Sequence, residues 1–189
     1  MAKAKYTTAG LLKAIRLLAV MLFFAFSFNI SKVQAQHKPS LEYQVKAAFI
    51  FNFTKFVNWP SSVFKSADAP FIIGIIGDDP FGPYLDELVK GEKIGTHKII
   101  VVRYTDVNDA TNCHMLFINA NPVIQQNVLA LTNNQKILTV SDSASLGTRG
   151  SNISFFKQNN KVKIEININA TKNSKLEISS KLLSIAKLN

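Results

Sequence analysis

The sequence predicts an α/β domain: a three-layer sandwich whose mostly parallel sheet has about six strands and an antiparallel C-terminal hairpin, with helices on both faces. Four short, β-branched apolar runs at residues 71–76, 98–103, 114–118 and 136–140 carry the prediction, because runs apolar on both faces belong to a sheet covered on both sides. Helical or turn-rich stretches separate them, and strand–helix–strand alternation implies parallel strands joined by right-handed crossovers. The pattern then changes: residues 153–156 and 162–168 flank Gln158-Asn159-Asn160, a turn signal that makes this pair a hairpin.

Taken in order, residues 41–57 read as a helix, with apolar residues at 41, 45, 49, 53 and 56/57, ended by Pro60, which lacks an N–H and restricts Trp59 before it. At about 100° per residue, Asn52 falls inside the arc of Leu41, Val45 and Phe56, where its amide would tie down a loop carbonyl or contact a ligand. Phe51 points to the side shared with Gln44 and Lys55, for partial cover by a neighbouring element. After the first strand, Asp79-Pro80 opens a helical segment to about Val89, with Asp79 as N-cap and Gly91 as terminator. Residues 122–132 read the same way, capped by Asn121. In the second hairpin strand Val162, Ile164, Ile166 and Ile168 share one face, leaving Lys163, Glu165, Asn167 and Asn169 on a wet one. A last helix around residues 177–188 would pack through Ile178, Leu182 and Ile185.

Composition bounds the function. The chain has 189 residues, 22 Lys+Arg against 12 Asp+Glu, 47% hydrophobic residues and a single cysteine. Lys3, Lys5, Lys13, Arg16 and Lys32 precede residue 36, where no acidic residue occurs, so half of the formal charge of +10 belongs to the leader. The remainder is a mildly basic surface, which speaks against a nucleic-acid partner. One cysteine cannot form an intramolecular disulfide or a multi-cysteine metal site.

Four positive charges in residues 3–16, an apolar run at 17–28 broken only by Ser27, and Val33-Gln34-Ala35 give the layout of a signal peptide cleaved after Ala35. The run is shorter than the roughly 20 residues that span a bilayer. Residues 36–189 are expected as one periplasmic domain without membrane insertion, and with no cysteine near the cleavage site to be lipidated.

Little points to catalysis. His37 lies near the expected new N-terminus, His97 before a strand and His114 at the start of an apolar one, with no nucleophile elbow beside them; each reads as a surface or satisfied histidine. Gly74-x-x-Gly77-Asp78 lacks the order of a phosphate loop. Asp78-Asp79 offers too few oxygens for Mg²⁺, and a turn with an N-cap accounts for the pair. No enzyme activity, cofactor or metal is expected.

Three groups of residues together resemble one family. They are Tyr43-Gln44-Val45-Lys46-Ala47-Ala48-Phe49 running into Asn52-Phe53 and Lys55-Phe56-Val57-Asn58-Trp59-Pro60; Gly74-Ile75-Ile76-Gly77-Asp78-Asp79-Pro80-Phe81-Gly82; and Arg149-Gly150, Ile153 and Phe155 with Ile164-Glu165-Ile166-Asn167 and Ile178-Ser179-Ser180-Lys181-Leu182-Leu183. In order and spacing this resembles the YfiR-like family of secreted bacterial proteins, over essentially the whole of residues 36–189. The resemblance implies a periplasmic α/β domain that represses an inner-membrane diguanylate cyclase, and hence cyclic-di-GMP signalling, by binding its periplasmic sensor portion. The single cysteine departs from members under disulfide control, which cannot act within this chain. The partner is therefore expected to be a membrane-bound signalling protein, bound so that its off-state is favoured; a homodimer is left open. Arg149, Lys163, Glu165, Asn167, Ser179, Ser180 and Lys181 are the expected partner-binding residues, against the plainer reading of ion pairs and a solvated helix face. The alternative function is a periplasmic small-molecule binding protein, using the crevice around Gly77, Asp78 and Asn119.

Overall fold

The computed structural model describes Arg16, residues 39–142 and residues 150–189. Apart from Arg16, the leader lies outside the described residues, as do its cleavage site, His37 and Arg149. Within them the chain runs α1 (Leu41–Phe56), β1 (Val57–Asn58), β2 (Phe71–Gly77), α2 (Pro83–Val89), β3 (Lys93–Ile94), β4 (His97–Tyr104), β5 (Met115–Asn119), α3 (Pro122–Thr132), β6 (Leu138–Ser141), β7 (Ile153–Gln158), β8 (Lys161–Ile166), α4 (Ile168–Ser174), β9 (Glu177–Ile178), α5 (Ser180–Leu183) and β10 (Lys187–Leu188).

The main sheet has the order β10-β8-β7-β6-β5-β2-β4-β3. Neighbours are parallel except β7 with β8 and β3 with β4. The expected fold is therefore present: six principal strands, a C-terminal hairpin, and short two-residue strands at both edges. The hairpin turns through Asn159 and Asn160, at φ 51° and 57°. Asparagine tolerates this left-handed pair, whose twist matches that of the strands it joins.

One face of the sheet packs against α1, α2 and α5 in a core built on Ile50, Phe53, Phe71, Leu85, Phe117, Phe155 and Leu182. Aromatic rings set its geometry: Phe53 stacks on Phe155 with centroids 6.1 Å apart, and Phe81 meets Phe117 edge-on at 4.8 Å. The opposite face packs against α3 and the turn at Asp109–Thr111 through Ile76, Ala110, Leu116, Ile118, Val128 and Ile137.

Four expectations need correction. First, α1 buries Lys46, Ala47, Ile50, Phe53 and Thr54, while Leu41 is 75% exposed and Val45 and Asn52 also face outward. The buried arc is rotated by roughly 120° from the expected stripe, at 100° per residue. Apolar residues occur at nearly every azimuth of this helix, so spacing alone cannot choose the face. Second, α2 starts at Pro83 rather than at Pro80. The Asp79 carboxylate accepts from the Phe81 and Gly82 amides at 2.8 and 3.1 Å, closing a turn before the helix. Third, β8 stops at Ile166 because Asn167 caps α4, its side chain accepting from the Ala170 amide at 2.9 Å. Fourth, residues 177–188 form two short strands around a single helical turn, not one helix. Val57 and Asn58 pair with Ile178 and Glu177, which draws the segment out as strand β9 before Ser179 caps α5. Ile185, expected in the core, is 58% exposed.

Candidate functional site

The expected partner-binding residues fall into two places. Ser179, Ser180 and Lys181 stand beside the C-terminal end of α1. Ser179 is structural: its amide donates to the Phe56 carbonyl at 2.9 Å and its hydroxyl accepts from the Leu182 amide at 3.3 Å. Ser180 and Lys181 are exposed, and the Lys181 ammonium lies 5.4 Å from the centre of the Phe56 ring. Lys55 lies over Phe51 in the same way at 4.0 Å, so Phe51 is partly covered by its own helix. Beside the Phe56 ring, Lys55, Phe56, Asn58, Glu177, Ile178 and Ser179 line a groove of about 390 Å³.

Lys163, Glu165 and Asn167 lie elsewhere. Val162, Ile164 and Ile166 point into the core beneath α1, so alternation sends Lys163 and Glu165 to the opposite face of the sheet. Lys163 is exposed as expected. Glu165 is not on a wet face: it is 6% exposed and accepts from Lys187 of the adjoining strand at 3.0 Å. Asn167 is spent on its helix cap. The structure thus separates Ser180 and Lys181 from Lys163, and gives Glu165, Asn167 and Ser179 roles within the fold.

Two ionic centres escaped the sequence reading. Lys46, 5% exposed, reaches Glu42 at 2.7 Å and also Asp142 at the end of β6. Tyr43 donates to the other Asp142 oxygen at 2.9 Å, and Lys157 of the hairpin closes the set on Glu42. Burial, followed by the Asp142 hydrogen bond, pushes the Tyr43 phenol up to about 12. Hydrogen bonds from Lys157 and Lys46 hold the Glu42 carboxyl below its usual range. The network joins the first turns of α1 to β6 and the hairpin. Its sequence signal was a lysine surrounded on the helix by Ala47, Ile50 and Phe53, legible only once the correct arc of α1 is known. The second centre is Arg103 on β4, which donates from Nε to Asp79 at 2.9 Å, from Nη1 to Asp86 at 2.8 Å and from Nη2 to the Gly82 carbonyl at 2.8 Å. Asp86, then Asp79, raise the guanidinium further above its already high range. Both Asp79 oxygens are engaged, one on amides and one on Arg103, which leaves it committed to the turn.

The crevice at Gly77, Asp78 and Asn119 is closed by the protein itself. The Asp78 amide donates to the Asn119 carbonyl at 2.8 Å, and the Asn119 side chain donates back to the Asp78 carbonyl at 3.1 Å. Gly77, at φ 90°, lies so close that a Cβ there would stand 2.1 Å from the Asn119 carbonyl oxygen. A larger opening of about 480 Å³ lies between α3 and α4, lined by uncharged amides and hydroxyls including Gln126, Asn133, Asn134, Asn152 and Asn173. The histidines serve the backbone: His97 Nδ1 bonds the Ala69 carbonyl at 2.6 Å, and His114 Nδ1 accepts from the Ile72 amide at 3.0 Å. Their rings sandwich Phe64, whose centroid lies 3.5 Å from that of His97 and 4.9 Å from that of His114. Cys113 is buried, which raises its thiol to about 12 and keeps it protonated. Among the described residues, no group of three or more His, Cys, Asp and Glu side chains could hold a metal ion. None of the described helices is long and apolar enough to cross a membrane.

A family model described as YfiR/HmsC-like matches residues 43–187, which contain the Arg103 centre, all of the Lys46 centre except Glu42, and both parts of the expected surface. No curated protein matches the chain. Among solved structures, the ABC domain in complex with L-Trp from Streptococcus pneumonia is similar at 10% identity and a TM-score of 0.46, over 78% of this chain and 60% of that one. A conserved domain protein from Vibrio cholerae O1 biovar El Tor strain N16961 is similar at 13% identity and a TM-score of 0.47, over 77% and 59%. The chain thus spans about 60% of the length of these two structures.

Proposed function

The chain belongs to the YfiR/HmsC-like family, and on that premise we propose that it is a non-enzymatic periplasmic regulator of cyclic-di-GMP signalling. In this reading residues 1–35 are removed on export, and residues 36–189 act as one domain. That domain binds the periplasmic portion of an inner-membrane signalling protein such as a diguanylate cyclase. Repression follows from tighter binding to the partner's off-state than to its on-state; equal affinity for both would shift nothing.

The observation that carries the reading is the family match over residues 43–187. The geometry supports a contact centred on the groove between α1 and β9. Ser180 and Lys181 are exposed there, and the adjoining aromatic rings Phe51 and Phe56 are only half-covered by lysines. Amphipathic side chains of this kind combine apolar area with a charge that can be matched across an interface. Ser179 supports this groove through its bonds to Phe56 and Leu182, whereas Glu165 and Asn167 serve the fold elsewhere. Lys163, outside the groove, and Arg149 are kept as proposed contacts.

The experiment compares cellular cyclic-di-GMP in a deletion strain complemented with the wild-type protein or with Lys181→Glu. Deletion should raise the nucleotide, the wild type should restore it, and Lys181→Glu should fail to restore it at an unchanged melting temperature. A nucleotide level indifferent to the deletion would remove the cyclase partner. The second reading, a binding protein for an uncharged polar molecule, rests on the amide-lined opening between α3 and α4; a thermal-shift screen separates it, since a ligand at 100 times its Kd stabilises by about 2.7 kcal/mol.

A further inference from the structure

Residues 36–149 carry ten basic and ten acidic side chains, so the whole positive surplus beyond the leader lies in residues 150–189, with seven lysines and no arginine against Glu165 and Glu177. The fold then sorts these lysines. Lys157 is paired with Glu42, and Lys181 sits over Phe56, both on the α1 side. The other five belong to the opposite side. Lys161 and Lys163 alternate with the core-facing residues of β8, and Lys187 reaches Glu165 from β10 on that same face. Lys172 is exposed on α4 and Lys175 at its C-cap, and the helix is fixed there by a hydrogen bond from Asn152 to Ser174 of 3.0 Å. Among the described residues, Lys161, Lys163, Lys172 and Lys175 make no ion pair.

We propose that this side, formed by β8, β10 and α4, is a docking face for an anionic phospholipid bilayer surface. Two properties favour a lipid surface over an acidic protein. Lysines are compact point charges without the planar fork by which arginine grips individual carboxylates, so they suit a diffuse charged plane. Lys161 and Lys163 on the outer reach of β8 also oppose addition of a further strand, the commonest way for a sheet edge to capture a protein segment. The proposal shares only the extracytoplasmic location with the proposed function, and it involves the opposite face from the Ser180–Lys181 groove.

The test is co-sedimentation of the exported protein, recovered from the periplasmic fraction, with vesicles of phosphatidylcholine alone or mixed with phosphatidylglycerol. Intact mass of the same sample, starting at Gln36, establishes the location independently. Partition onto the mixed vesicles should exceed that onto the neutral ones and fall as salt is raised. The double variant K161Q/K163Q should lose about 30-fold in that partition, the effect of two near-surface lysines, with its melting temperature unchanged. A control pair on the neutral part of the domain, K65Q/K93Q, should retain it. Equal partition onto both vesicles, or a control pair that loses as much, would overturn the proposal. So would lysine changes that abolish binding to a purified acidic periplasmic domain while the wild type ignores vesicles.

Discussion

The two halves of the sheet use its α3-facing side in opposite ways. Under β2 and β5 that side is apolar: Ile76, Leu116 and Ile118 meet Val128 of α3 and Ile137. Under β6, β7 and β8 the same side carries Thr139, Ser141, Asn152, Ser154 and Glu165, and these are buried too. Asn152 is the hub, with Oδ1 accepting from the Thr139 amide and hydroxyl at 2.7 and 2.8 Å and Nδ2 donating to Ser174. Ser141, Ser151 and Ser154 form a triangle of hydroxyl contacts between 2.7 and 3.0 Å. The first half is held by transfer of apolar surface out of water, which is tolerant of direction; the second is held by matched donors and acceptors, which are not. A polar residue on an alternating strand therefore identifies a face but not its exposure.

The largest expected effect tests the apolar half. Leu116 is fully buried, and Leu116→Ala should destabilise by about 3–4 kcal/mol through lost transfer and the residual cavity, as read in denaturant melts. A cost under about 1 kcal/mol would mean that this side is not packed as described. The hydrogen-bonded half should respond less to lost volume and more to lost matching. Asn152→Ala removes one acceptor that serves two donors, and should cost about 1–3 kcal/mol by leaving the Thr139 amide unsatisfied. Asn152→Leu, which restores bulk, should not recover that loss; recovery would show packing to dominate on both sides of the sheet.

The smallest effect is a slope with pH, and it comes from the polar exception in the apolar half. His114 is 8% exposed, its Nδ1 accepts from the Ile72 amide, and its Nε2 has no partner. Burial lowers its pKa below 6.5, opposed by the Val63 carbonyl and assisted by His97 and Lys65. Protonation would place a second N–H against the Ile72 N–H. A histidine depressed in the folded state contributes its full stabilisation above 6.5, and loses it as the pH falls from 6.5 through the folded value. His114→Asn keeps an acceptor near Nδ1 without a titrating group, so the variant should show a flatter stability–pH curve just below 6.5. An unchanged slope would assign the acid sensitivity to other groups, with the Glu42 network as the next candidate at lower pH.

What the sequence determined by itself was local or repeated at short range. The apolar runs became β2, β4, β5 and β6. Of these, β2, β5 and β6 are buried on both faces as such segments require. By contrast β4, one strand from the sheet edge, leaves Ile100 39% exposed, against the expectation that all four are covered on both sides. Asn121 capped α3 as expected, its side chain accepting from the Val123 and Ile124 amides at 3.1 Å, because a cap needs only residues within one turn. Asn159 and Asn160 turned the hairpin for the same reason. Ser180 and Lys181 were legible as an exposed pair, but nothing local showed that Lys163 would stand on the other side of the sheet. The azimuth of α1 depended on which neighbours it met, since a helix apolar nearly all round contains no preferred face of its own. Burial of Glu165 depended on Lys187, 22 residues later, and that of Lys46 on Asp142, 96 residues later. A charge can leave water only when a partner meets it, and where the partner stands is fixed by the path of the chain rather than by its local sequence.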